Sequence, residues 1–165
     1  AGRPIDLLVN NAGLGLAALP LYVGSRWVLK HYTFKYGISI PYNTRIGAGL
    51  YIGHFGQIFV NSAVTIGEDC NINQGVTIGA AYGGRREGVP VIGDRVYFGP
   101  GSKVFGRISV GNDVAIGANS VVATKVPDNA VVVGIPATVV SYKGSGAYVV
   151  NTGSRSQRTN PEGVG

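Results

Sequence analysis

The chain has 165 residues, 27 of them glycine, and is 45% hydrophobic but only 13% charged; that size fits one domain with a small appendage, and the lack of a triplet glycine register excludes a collagen-like rod. Fourteen Lys and Arg against eight Asp and Glu leave a net charge of +6, which favours an anionic ligand, yet the basic residues are scattered, so no nucleic-acid partner is expected. A single cysteine excludes an internal disulfide and suits a reducing compartment, and no basic start with a small-residue cleavage site is legible, so a cytoplasmic location is expected.

Residues 1–36 carry no repeat and read as a helical or irregular segment. The apolar run Ala12–Val23 is interrupted by Gly13, Gly15 and Pro20 and is too short to span a bilayer. Leu21 to Lys35 is rich in aromatic and basic residues, with Tyr22, Arg26, Trp27, Lys30, Tyr32 and Phe34, and suits a helix with Pro20 near its start. Packing against the rest of the fold is its plain role; a weak membrane-surface contact is the sharper one, because aromatic and basic side chains suit that interface. His31 falls here and reads as a surface or packing residue. Pro4–Gly13, with its Asn10-Asn11-Ala12-Gly13, resembles a segment of short-chain dehydrogenases, but no glycine-rich dinucleotide loop precedes it and no Tyr-x-x-x-Lys follows.

A six-residue beat organises the rest. Apolar residues stand at Ile40, Ile46 and Ile52, then at Val60, Ile66, Ile72 and Ile78, then at Ile92, Phe98, Val104, Val110, Ile116 and Val122. A second small or aliphatic residue follows four places later: Val96, Ser102, Ile108, Val114, Ser120 and Val126 in the last run. Neither a helix nor a flat strand has this period. It is the mark of a stacked β-coil in which each unit is a short strand plus a corner and three units close a triangular turn. Glycine and asparagine are expected at the corners, where backbone angles costly to other residues are needed. The beat fails twice. The step from Ile52 to Val60 is eight, so two residues bulge out just after His54. Ala80–Pro90 reads as a loop thrown out from the coil. Pro127 and Asp128-Asn129 mark a turn, Ala130–Val140 a last extended segment, and residues 142–165 a loosely held tail.

Register breaks gather near functional sites. His54 sits two places after Ile52, so its phase points it out of the coil, on a rigid scaffold, and imidazole suits a base near neutrality. Cys70 occupies an inward phase and reads as a buried filler rather than a nucleophile. Two distant histidines and one cysteine form no metal constellation. Arg85 and Arg86 in the loop have the geometry to clamp phosphate or carboxylate, or else decorate a solvated tip.

Three segments carry a wider resemblance: Ile46-Gly47-Ala48-Gly49-Leu50-Tyr51-Ile52-Gly53-His54, Asn73-Gln74-Gly75-Val76-Thr77-Ile78-Gly79 and Ile116-Gly117-Ala118-Asn119-Ser120-Val121-Val122. Val126-Pro127-Asp128-Asn129 and Val133-Gly134-Ile135-Pro136-Ala137 close them. From about Tyr36 to Ser141 the chain resembles hexapeptide-repeat acyltransferases of the serine acetyltransferase type and, in its short N-terminus, the related capsule and exopolysaccharide O-acetyltransferases. The resemblance implies an all-β fold, a left-handed parallel β-helix over residues 37–141, in a homotrimer that uses acetyl-CoA and no metal. It implies His54 as catalytic base in a cleft between neighbouring coils. Gly79, Ala80, Gly99, Pro100, Gly117 and Ala118 would hold the donor's pantetheine arm, with Lys103 and Lys143 near its phosphates. Ser39, Gln74, Arg85 and Arg86 would face the acceptor. Serine acetyltransferases carry aspartates where Ser39 and Gly53 stand and Arg-His where Gly88-Val89 stand. A saccharide or glycan acceptor is therefore expected, with serine as the alternative and a non-catalytic assembly coil as the reading from another class.

Overall fold

The computed structural model describes residues 18–149, which divide into two units between Gly37 and Ile38. The segment Pro4–Gly13 lies outside the described residues.

The first unit holds α1 (Ala18–Tyr36). Pro20 stands in its first turn, where a missing N–H costs nothing. Gly37 ends it with φ 64° and an N–H bond to Thr33 O at 2.9 Å. Trp27 stacks on His31 at 5.9 Å, and the Lys35 ammonium lies 5.3 Å from the Tyr36 ring centroid. Exposed apolar side chains occur on opposite sides of this helix: Leu21, Val28 and Tyr32 on one, Val23, Trp27 and Phe34 on the other. The separate polar face that a surface-lying helix needs is absent from it, which counts against the membrane contact expected from composition. Among the described residues no helix is long and apolar enough to cross a membrane.

The second unit is a left-handed parallel β-helix, as the resemblance implied. In chain order its strands are β1 (Ile38–Ser39), β2 (Arg45–Ile46), β3 (Tyr51–Ile52), β4 (Ile58–Val60), β5 (Thr65–Ile66), β6 (Asn71–Ile72), β7 (Thr77–Gly79) and β8 (Val91–Ile92). There follow β9 (Tyr97–Phe98), β10 (Lys103–Phe105), β11 (Ser109–Val110), β12 (Ala115–Ile116), β13 (Val121–Val122), β14 (Val131–Gly134) and β15 (Ala137–Ser141). Every third strand stacks on the last. Sheet A runs β1-β4-β7-β10-β13, sheet B β2-β5-β8-β11, and sheet C β3-β6-β9-β12-β14-β15. A regular turn takes 18 positions, as from Phe59 to its partner Thr77 or from Lys103 to Val121. Ser39 to Phe59 takes 20 and Thr77 to Lys103 takes 26, so the two breaks in the beat are the two insertions in the coil.

The inward positions are those the beat marked. Ile66, Ile72, Ile78, Ile92, Phe98, Val104, Val110, Ile116 and Val122 are all buried, and so are Val96, Ser102, Val114, Ser120 and Val126. Cys70 is fully buried, its Sγ 3.3 Å from Gly93 O, and burial pushes its thiol up to about 11, so it is an inert filler. Corner geometry explains the phased glycines. A Cβ on Gly99 would lie 2.7 Å from Ile116 O and from Ala118 N of the next coil, so the rungs could not close there. Asn119 and Asn129 take left-handed angles, as expected, but so do Asp69, Arg95 and Asp113. Arg95 is held by the equivalent residue one coil on: its Nε and Nη2 donate to the Asp113 carboxylate at 2.7 and 2.8 Å. This bidentate pair holds the Asp113 carboxyl below its ordinary value of 3.8.

Two expectations change at the C-terminal end. Ala130–Val140 is not one extended segment but an antiparallel hairpin, β14 with β15, which pairs Val133 with Thr138 and closes sheet C. The start of the tail is not loose either. Ser145 is 1% exposed, its N–H donates to Asp113 O at 2.9 Å and its hydroxyl to Arg95 O at 2.5 Å. Tyr148 then stacks on Tyr97 at 5.2 Å. Backbone groups at the corners recruit this strap, and composition does not reveal them. Residues 150–165 lie outside the described residues.

Two measurements check these contacts. Ile116→Ala should destabilise the coil by roughly 2–5 kcal/mol in denaturant titration, as large-to-small changes in a close-packed core do. Because the folded Asp113 carboxyl titrates below the unfolded one, its contribution is present above the ordinary carboxylate range and is lost as pH falls through the folded value. The melting-temperature advantage of the wild type over Asp113→Asn should therefore shrink on going from pH 6 to about pH 3; an advantage independent of pH would refute the pairing.

Candidate active site

The eight-residue step is a built bulge. Gly53 N–H closes β3 onto the next rung, donating to Ile72 O at 3.0 Å. The chain then turns outward through His54 and Phe55, both exposed, and returns through Gly56 and Gln57 with φ of 110° and 55°. Gly75 N–H of the next corner donates to Gly56 O at 2.9 Å and fixes the return. His54 thus stands on the C-to-A edge of the first coil, at a corner tied to the rung above it.

Asn73 packs against this corner. Its Nδ2 donates to Phe98 O at 2.9 Å, and a Cβ at position 53 would lie 2.9 Å from its Oδ1. A side chain at position 53 would press on the Asn73 amide oxygen and make it shift. The Tyr51 ring flanks the same spot, 3.6 Å from that Cβ position.

Successive corners of the C-to-A edge form a column above His54: Asn73-Gln74, Gly99-Pro100, then Gly117-Ala118. Gly101 N–H donates to Gln74 O at 2.9 Å and Asn119 N–H to Pro100 O at 2.8 Å, so the column is continuous. With rungs about 4.8 Å apart, Ala118 lies about 14 Å along the coil from His54. Gln74 and Ala118 are exposed, and only small or flat residues interrupt the surface between them. Among the described residues Ala118 N–H donates to no acceptor, so it is a backbone donor open to a ligand. Lys103, one residue past this edge on sheet A, donates to Gly75 O.

Other predicted site residues stand elsewhere. Gly79 and Ala80 lie on the A-to-B edge, at the far end of β7 from the His54 column. Arg85 and Arg86 belong to that edge too. Their loop is not thrown out: Ala81 and Gly88 pair as an antiparallel bridge, and the Arg86 guanidinium donates to Ala123 O two coils on. Ser39 lies on sheet A beside Phe59, and among the described residues no hydrogen bond joins it to His54. Lys143 is exposed on the C-terminal strap. Among the described residues no three His, Cys, Asp or Glu come together as a metal would need. Sequence reasoning missed Asn73 as a part of the Gly53 corner, although its place at the start of the next corner, 20 positions after Gly53, was open to view. The folded loop also lies against Arg107, whose N–H donates to Arg86 O at 2.9 Å.

Comparison with known proteins follows this geometry. Residues 107–134 match the family described as "Hexapeptide repeat of succinyl-transferase". Over 106 residues the chain is 42% identical to a serine acetyltransferase of Mycobacterium tuberculosis, covering 63% of this chain and 45% of that protein. Among solved structures it resembles the Neisseria gonorrhoeae serine acetyltransferase in complex with serine, with 34% identity and a TM-score of 0.59, over 72% of this chain and 50% of that one. It also resembles the Brucella abortus serine acetyltransferase in complex with coenzyme A, with 35% identity and a TM-score of 0.52, over 62% of this chain and 41% of that one. The chain spans about half the length of the curated relatives it matches. These relatives are serine acetyltransferases, which corrects the affinity to capsule and exopolysaccharide O-acetyltransferases expected from the short N-terminus.

A double-mutant cycle tests the corner. Gly53→Ala should break the Asn73 bond to Phe98 O and cost about 1 kcal/mol of stability; in an Asn73→Ala background the same change should cost almost nothing. Equal costs in both backgrounds would show that the two residues do not share this space.

Proposed function

We propose that the chain is an acetyl-CoA-dependent O-acetyltransferase, with His54 as general base and serine as the acceptor. The observation that carries the reading is an exposed histidine on a built bulge, aligned with an unobstructed column of small corners. Relatives named for serine acetylation, solved in complex with serine and with coenzyme A, support both the donor and the acceptor. The saccharide acceptor expected from the sequence finds no such support among them.

In this reading the His54 imidazole takes the proton from the acceptor hydroxyl as its oxygen attacks the thioester carbonyl. A backbone N–H at a corner beside His54 would serve the oxyanion, and that of Ala118, about 14 Å further along the coil, a pantetheine amide. The tetrahedral intermediate then collapses, the C–S bond breaks, and the imidazolium returns its proton to the departing CoA sulfur. Base assistance of this kind is worth about 10²–10⁴ in rate, and alignment along the column contributes further through proximity.

The division of donor-side residues between two edges supports a homotrimer. Gly79 and Ala80 are separated from Gly99, Pro100, Gly117 and Ala118 by the width of sheet A. One pantetheine arm touches both sets only if the C-to-A edge of one protomer faces the A-to-B edge of its partner. The acceptor would then meet Gln74 on the His54 side, with Ser39 on the adjoining face. The exposed Phe59 on the outer face of sheet A is in keeping with such a contact.

The test is release of CoA thiol from acetyl-CoA with serine and with a panel of sugars. Serine should support turnover, and His54→Ala should lower it by about 10²–10⁴. Turnover with sugars alone would overturn the acceptor, and unchanged turnover in His54→Ala would remove the base.

A further inference from the structure

A stack of coils ends on open strand edges, and its terminal repeat ordinarily turns a polar outer face to solvent. The cap on this coil is the hairpin of β14 and β15, and it is apolar. Ile135 is 74% exposed, Tyr142 67% and Val140 58%, with Val133 and Val139 beside them. β15 is the last strand of sheet C and, among the described residues, pairs only with β14. In an antiparallel strand, successive residues direct their N–H and C=O to alternate sides. The outer side of β15 therefore presents backbone donors and acceptors along the coil axis.

Native edges are blunted by charge, by proline or by a bulge. Ala137-Thr138-Val139-Val140-Ser141 has no charge and no proline. Its one irregularity is a bulge: Val139 faces Val132 and Ser141 faces Val131, which leaves Val140 without an opposite number on β14. β-Branched residues fill the middle of the strand and suit pairing. The strap that follows does not cover this edge. Gly144 N–H donates to Asn129 O, Ser145 N–H to Asp113 O, and Tyr148 stacks on Tyr97 of β9, three strands down sheet C. The described chain thus leads away from β15.

The make-up of the strand selects its occupant. A twofold axis at Val139 would set two copies of β15 antiparallel, with Val139 opposite Val139, Thr138 opposite Val140 and Ala137 opposite Ser141. Every such pair is uncharged, and β-branched residues meet β-branched residues at the centre. Lys143, the nearest charged residue along the chain, would leave from opposite ends of the ribbon in the two copies. Tyr142 of one copy would lie near Ile135 and Pro136 of the other and add apolar surface. The strand is therefore complementary to itself, whereas a charged foreign strand would find nothing to answer its charge. Such a contact is isologous, so it closes at two strands and does not propagate.

We propose that the outer edge of β15 is a self-association surface, on which a second copy of this chain docks its own β15 antiparallel across a twofold axis at Val139, joining two coils end to end. Two five-residue strands cover less than the roughly 1,200–2,000 Å² of a standard interface, so the contact is reversible and depends on protein concentration. It does not depend on the reaction or the trimer proposed above.

Disulfide trapping in the full chain tests the register. With Val139→Cys, mild oxidation should link the protein into dimers, because directly opposed residues come within disulfide reach. With Ile135→Cys, exposed but far along the ribbon from its mate, the yield should be at least about 10-fold lower. The native Cys70 is buried and does not interfere. Charge exchange then separates pairing from misfolding. Thr138→Lys with Val140→Lys, and Thr138→Glu with Val140→Glu, set like charges opposite each other, so each pair of changes should lower the mass in sedimentation equilibrium at least about twofold. An equimolar mixture of the two double variants should restore it. Failure of Val139→Cys to link, or equal linking through both cysteines, overturns the proposal. So does a mass that is unchanged in both double variants, or one that falls in both and does not recover in the mixture. Thiol release from acetyl-CoA enters none of these readings, so this proposal and the proposed reaction fail separately.

Discussion

Parallel backbone hydrogen bonds between successive coils are the constraint on which everything else depends. Each two- or three-residue strand must meet its counterpart one turn later, and a regular turn therefore takes 18 positions. The inward side chains then stack in columns made mostly of Ile and Val, with Phe98, Cys70 and the small Ser102, Ser120 and Ala130 among them. Strands this short have almost no stability alone. They persist because burial and interstrand bonding repeat in phase from one rung to the next.

The corners carry the cost of that stacking. Rungs can approach closely only where no Cβ intervenes, as at Gly99, or where an αL residue turns the chain, as at Asn119. Arg95 and Asp113 show another solution, since two residues in an unfavourable conformation are held by a bidentate pair across one rung. The strap at Ser145 covers the carbonyls of these same two residues. The B-to-C edge is thus sealed by its own side chains and by returning chain, while the other two edges carry the insertions.

Those insertions give the two remaining edges different chemistry. Two extra residues on the C-to-A edge push His54 outward beside a smooth column of corners. Eight extra residues on the A-to-B edge form a loop that lies back on the coil. The donor-side residues proposed above belong to one reading, yet a single protomer presents them on opposite sides of sheet A. Only a cleft between copies would bring them together, and this is the physical basis for treating the assembly as part of the proposed site.

The sequence alone determined the coil, because an inward residue at every sixth position satisfies only a three-sided β-turn. It also located both insertions, since skipping two or eight positions in a strict beat is visible without coordinates, and it singled out His54 by phase. The hand of the coil came from resemblance, because periodicity does not distinguish left from right. Only the tertiary structure decided where the insertions went. The bridge between Ala81 and Gly88 folds the loop on itself, and the Arg86 guanidinium finds the Ala123 carbonyl 37 positions away, which residue types do not encode locally. The packed strap at Ser145 and the hairpin after Gly134 escaped for the same reason: polar, glycine-rich sequence is equally consistent with a free tail until the carbonyls that receive it are in place. Asn73 came to the Gly53 corner only when one rung was laid on the next, because residues 20 positions apart meet by stacking and not by any pattern along the chain.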